Sequence, residues 1–159
     1  MAASFSALAT QYHSVSFGDN NTWDAWRLIP KTPPMVAPPE PKLNYVDVEG
    51  ADGALDFTSS LDSTVHYKRR TGSWEFLVDN WELANFNPAV YYRTLMAALH
   101  GQQFDIVLAD DQTRHYYGRV WLEEWDSDPS FSTITINYNL EPYHYASSAD
   151  HASKTGGAL

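Results

Sequence analysis

Six histidines, at positions 13, 66, 100, 115, 144 and 151, are the side chains best suited to bind a metal or move a proton near neutral pH. No two of them have the spacing of a helical metal motif, so surface or turn positions account for them. Asp110 and Asp111 with His115, or Glu123 and Glu124 with Asp126 and Asp128, have the oxygen ligands a hard cation needs. The run from Asp126 to Asp128 nevertheless lacks the glycine and the distal bidentate glutamate of a calcium loop, and reads as a solvated charged turn. Ser59, Ser60 and Ser63 sit in a polar stretch without a nucleophile elbow, and the glycines form no phosphate-cradling pattern. Glu123 and Glu124 lie between Trp121 and Trp125, and paired carboxylates near aromatics are a glycosidase pattern. On a strand, however, adjacent residues point to opposite faces and cannot flank one glycosidic bond. No catalytic, cofactor-binding or metal-binding residue is expected, and the chain is not read as an enzyme.

The aromatic content, 14% with six Trp and ten Tyr, has to be explained without a reaction. Core filling, large protein interfaces and a sugar-stacking surface all use such residues, and the first two are favoured. Twenty acidic against ten basic residues give a formal net charge of -10, a field that repels nucleic-acid phosphates. With no cysteine, the fold is held by burial and backbone pairing rather than by disulfides. The first seventeen residues have no basic leader and no sustained apolar run, so neither a secretory signal nor a membrane span is expected there.

The chain's 159 residues suit a single domain over residues 1–145, followed by a small, polar tail over 146–159. Composition alone would leave that tail disordered unless an assembly docks it. Gly18, Asp19, Asn20 and Asn21 predict a hairpin turn leading into a strand over 23–29. Residues 30–41 hold six of the nine prolines and form an extended arm or crossing connection. A short strand near 43–48 precedes a turn-rich loop running through residue 60. Runs at 64–70 and 73–79 around Thr71 and Gly72 predict a hairpin. Asn87 as cap, Pro88 in the first turn, a face of Tyr92, Leu95 and Leu99, and Gly101 at the end predict the one helix. Alternation then predicts strands at 104–108, 116–125 and 134–140, with a turn at 126–129. The fold class is mainly β, an antiparallel β-sandwich or open barrel with one α-helix.

The order of these segments resembles a known family. Residues 21–30 (NTWDAWRLIP), the proline segment, the run YVDVEGADGALD over 45–56 and VHYKRRTGSWEFLV over 65–78 are together similar to the N-terminal domain of siphophage distal tail (Dit) proteins. The likeness runs from about residue 21 to residue 143. It implies a structural virion protein with a tail-tube-like fold, forming a ring, most simply a homohexamer, at the tip of the tail tube. Such a ring joins the tail-tube protein to the tail-tip proteins of the baseplate and passes DNA through its lumen as cargo. The location implied is the virion tail, assembled in the bacterial host cytoplasm, with no cofactor and no membrane partner. The galectin-like or carbohydrate-binding domain that many members carry is not expected in a chain of this length. Alternatives are a tail-tube protein stacking as many rings, or a carbohydrate-binding β-sandwich module.

Two sets of site residues follow under this resemblance. Trp23 and Trp26, three apart on a predicted strand, would face opposite ways, leaving one for a neighbouring subunit together with Pro33, Pro34, Pro38, Pro39 and Pro41. No Lys or Arg occurs between Leu43 and Tyr67, so Asp47, Glu49, Asp52, Asp56 and Asp62 are candidate lumen-facing acids, with a solvated loop as the other reading.

Overall fold

A computed structural model describes residues 4–79, 86–127 and 132–159. Its centre is strand β10 (Ser132–Leu140), where side chains alternate strictly between buried and half-buried. Ile134, Ile136, Tyr138 and Leu140 face the core, and Thr133, Thr135, Asn137 and Asn139 face outward, as period-two alternation requires. On one side β10 pairs antiparallel with β6 (Arg70–Val78) over its whole length, and on the other with β8 (Asp111–Leu122). Outside β8 come β7 (Gln103–Leu108), β1 (Val15–Phe17) and the two-residue β2 (Asn20–Asn21). Outside β6 lies β3 (Leu28–Pro30), while β9 (Asp126–Ser127) adds to the end of β10. The result is a mainly β, antiparallel sheet curled into an open half-barrel.

Helix α3 (Pro88–Leu99) closes the concave side, burying Leu95 and Leu99 completely. Its ends form as the sequence predicts. The Asn87 carboxamide accepts from the N–H groups of Ala89 and Val90, Pro88 occupies the first turn, and Gly101 takes the left-handed conformation just beyond the end. Tyr91 and Tyr92 anchor it by donating their hydroxyls to the carbonyls of Trp26 and Glu123.

Several expectations are corrected. Thr71 and Gly72 do not turn the chain; they lie inside β6, and residues 64–69 carry only an isolated bridge from Tyr67 to Pro41. Gly72 is there because Tyr138 crosses directly over it, and any Cβ would collide with the phenol. Residues 23–29 are not one strand. Asn21, read as a turn residue, caps a short helix α2 (Thr22–Trp26) by accepting from Trp23 and Asp24. Arg27 ends it in the left-handed region at φ 55°, and β3 follows. Trp23 and Trp26 therefore stand at i, i+3 on one helix face instead of alternating across a strand.

The single predicted helix is one of four among the described residues, the others being α1 (Ala7–Gln11), α2 and α4 (Ser148–Ser153). Each has five or six residues, too few to show a helical period. The turn predicted at 126–129 begins with Asp126 and Ser127 in β9, and its remaining positions, Asp128 included, lie outside the described residues.

Residues 146–159 fold back onto their own domain. In α4, His151 stacks on Tyr117 at 3.5 Å and 6°, and also contacts the Glu141 carboxylate at 3.1 Å. Lys154 reaches the same carboxylate at 3.0 Å, and Ala158 pairs with His144.

Candidate assembly surface

Beyond β3 the proline segment is extended but held by its own subunit. The Trp74 indole donates to the Met35 carbonyl at 2.9 Å, and the Ala37 N–H donates to the Tyr138 hydroxyl at 2.9 Å. Arg70, buried under Tyr116, donates to the carbonyls of Ala37 and Pro142. Pro34 is buried in this packing, Pro39 and Pro41 are half-buried, and Pro33 and Pro38 are exposed beside Met35. Trp23 is buried against Tyr12 under the Arg27 guanidinium, and Trp26 is half-buried against the core. Of the candidate contact residues, Pro33 and Pro38 are thus the exposed ones.

Residues 42–66 leave the domain as an arm. Its base is fastened by the Pro41–Tyr67 bridge, by the backbone bonds of Lys42 to His66 and of Lys68 to Glu40, and by the 2.8 Å Lys68–Glu40 ion pair. Strands β4 (Tyr45–Asp47) and β5 (Ala54–Asp56) pair antiparallel around a turn in which Gly50 and Gly53 supply positive φ. Every residue of both strands is exposed. An isolated two-stranded hairpin is marginal in water, so one projecting this way calls for a surface to lie on.

Its side chains point to the same need. Among the described residues, eight of the thirteen exposed large apolar side chains lie on this arm, from Leu43 to Val65, and Leu61 is 97% exposed. Val46 pairs with Leu55, and Phe57 follows two residues on, so these three share one apolar face. Tyr45, Asp47 and Asp56 share the other face, with Tyr45 opposite Asp56.

The five candidate lumen acids all lie on this arm. Asp47 and Asp56 lie on the face opposite the apolar one, Glu49 and Asp52 in the turn, and Asp62 in the returning loop. Two are engaged locally: hydrogen bonds from Thr58 hold Asp56 below its ordinary pKa, and those from Thr64 do the same for Asp62, which also contacts His66 at 2.9 Å. The sequence pointed to these acids but not to the apolar face behind them. Its signal was present, in the spacing of Val46, Leu55 and Phe57 around the glycine-rich turn.

The groups considered for chemistry are dispersed. His13 pairs with Asp110, His115 with Asp105, and His151 with Glu141, so Asp110, Asp111 and His115 do not converge. Glu123 accepts from Asn137. Among the described residues no group of three or more His, Asp or Glu side chains could hold a metal, and no helix is long and apolar enough to cross a membrane.

No protein-family model and no curated protein sequence matches the chain. Its fold is similar to a solved structure, that of SPP1 Dit (gp 19.1), described as a paradigm of the hub adsorption apparatus in phages infecting Gram-positive bacteria. The TM-score is 0.63 at 18% identity, over 84% of this chain and 52% of that one, so the chain spans about half the length of the protein it matches. The likeness is one of architecture: this chain has a Dit-like fold.

Proposed function

We propose that the chain is a structural subunit of a phage tail, a distal tail protein whose copies close into a ring between the tail tube and the tail-tip proteins. The observation that carries this reading is the arm of residues 42–66, an exposed apolar hairpin face on a domain with the Dit-like fold. A contact made by an arm on one side of a subunit and a receiving surface on another is heterologous, and it closes into a ring when its rotation divides a full turn. Covering Val46, Leu55 and Phe57 in that contact turns the acidic face of the arm away from the neighbour. In a hexamer the subunits carry roughly -60 in all, six times -10, and acids turned toward the lumen repel passing DNA so that it does not stick. The subunit's work is mechanical rather than catalytic, and its place is the virion tail.

Electron microscopy of purified tails, with this protein labelled, tests the proposal. A single ring at the distal end of the tube is the expected result. Label along the whole tube identifies a tail-tube protein instead, and absence from the particles refutes the tail reading.

A further inference from the structure

The outward face of the sheet holds a second feature, independent of the arm and of ring formation. Strand register places Gln103 of β7, Arg119 of β8, Asn139 of β10 and Thr71 of β6 in one row across the face. The next row holds Trp121 opposite Asn137. Beside Trp121 the chain enters β7 from α3 through Gly101, whose N–H donates to the Val120 carbonyl at 2.8 Å. A glycine there leaves bare backbone beside the indole, which is 38% exposed although Trp23 and Trp74 are buried. The resulting cleft, about 360 Å³, is lined by Arg69, Gly101, Gln103, Arg119, Trp121 and Asn139.

Three of the polar groups of this cleft, Arg69, Arg119 and Asn139, are held in place. Arg119 donates one Nη to the Gly101 carbonyl at 3.0 Å. Arg69 donates Nε to the Asn139 carboxamide oxygen at 2.6 Å and one Nη to the Asn139 backbone carbonyl at 3.1 Å. With its oxygen engaged, the Asn139 amide keeps its NH2 donors without a partner among the described residues, and both guanidinium groups retain free N–H donors. Neither arginine has a carboxylate partner among the described residues, although the chain carries twenty acids. Two uncompensated cations, two carboxamides and an open indole therefore stand together on a rigid sheet.

We propose that this cleft binds an anionic saccharide. The indole face stacks on the apolar face of a pyranose or polyol, the Gln103 and Asn139 carboxamides bond its hydroxyls, and Arg69 and Arg119 take its carboxylate or phosphate. The volume is near the lower end for ligand sites and holds one or two sugar units. A polynucleotide is disfavoured, because such ligands use a long basic groove with several aromatic platforms, and here two cations and one indole sit on a chain of net charge -10. One stacking residue and a few hydrogen bonds give a single-site dissociation constant roughly in the millimolar range. Several copies presented together raise the avidity without any new contact.

The test uses the full chain with 15N-labelled tryptophan, titrated with trigalacturonate, a glycerol-phosphate trimer, neutral maltotriose and a short oligothymidylate. We expect a saturable shift of the Trp121 indole resonance with the galacturonate or the glycerol phosphate, and the stronger of the two identifies carboxylate or phosphate as the group bound. Trp121→Ala is expected to abolish saturable binding, read from backbone amides of β8, and Trp121→Tyr to retain it. Arg69→Gln with Arg119→Gln should weaken the anionic ligand about tenfold or more and bring it level with maltotriose. Absence of saturation by either anionic saccharide, binding that survives Trp121→Ala, or tighter binding of the oligothymidylate overturns the assignment.

Discussion

Replacing Leu55 and Phe57 together by serine separates assembly from folding. In the isolated subunit these side chains are 53% and 41% exposed, so about half of each remains available for a partner to cover. Full burial of a Leu or Phe side chain is worth about 1.5–3 kcal/mol, and half of that is about 1 kcal/mol each. The pair then contributes about 2 kcal/mol to every contact between neighbours, which weakens that contact roughly thirty-fold when lost. Folding loses little, because substitutions at exposed positions usually stay within about 0.5 kcal/mol. Sedimentation velocity across a concentration series is the assay, with thermal unfolding of the same samples as the control for folding. The double variant should melt with the parent and dissociate at concentrations where the parent associates. Asp47→Asn with Asp56→Asn, on the opposite face, should leave association intact. Unchanged association in the serine variant, or a large drop in its melting temperature, refutes the argument that this face is a contact surface.

Other consequences can be checked on the single chain. Gly118→Ala puts a methyl group against the backbone of Asn139 and Leu140, so the β8–β10 ladder must spread, at a cost of about 3 kcal/mol measurable by denaturant unfolding. Trp23→Ala empties the site between Tyr12 and Arg27 and should cost roughly 3–5 kcal/mol of folding stability in the same measurement. Arg70→Met removes the donors to Ala37 and Pro142, about 2 kcal/mol, and hydrogen exchange should show faster opening at residues 35–37. Burial acts to raise the pKa of Glu141, but Lys154 and His151 more than offset it and hold the carboxyl below its ordinary 4.5. Because the folded value lies below the unfolded one, this contribution is complete above about pH 4.5 and is lost as pH falls through the folded value. Exchange protection of α4 should therefore drop on acidification in that window, and Glu141→Gln should remove the dependence.

How much of this was legible in the sequence depends on whether an element's signal is local. The helix α3 was, since cap, first-turn proline, apolar face and terminal glycine all lie within fifteen residues and agree. So was β10, whose buried side chains follow the period of two. Gly72 was misread because a glycine between two β-prone runs serves equally for a reversal or for a ring crossing the backbone. Only the opposing Tyr138, sixty-six positions away, distinguishes them. For residues 22–26 a cap and a turn use the same asparagine, and a helix of five residues has no period to detect.

The candidate surfaces were harder to see for a related reason. Hydrophobic alternation signals that one face of a strand is covered, without saying which chain covers it. Val46 fell in a predicted strand and Leu55 and Phe57 in the loop after it, and only the pairing of β4 with β5 shows the three on one face that stands clear of the domain. The aromatic residues show the same ambiguity. Trp74 lies against Tyr138 and Trp125 among Tyr91, Tyr92 and Phe86, which takes up much of the aromatic content as packing, whereas Trp121, also in a run read as a strand, stays open. What separates Trp121 from the others is its register: β8 places it beside Gly101 and beside the row that carries Arg119 and Asn139. A shift of one residue in the pairing of β8 would turn the indole into the core and Val120 outward. The cleft therefore exists only by virtue of the same cross-strand pairing that builds the core, and its residues, drawn from positions 69 to 139, come together only through that pairing.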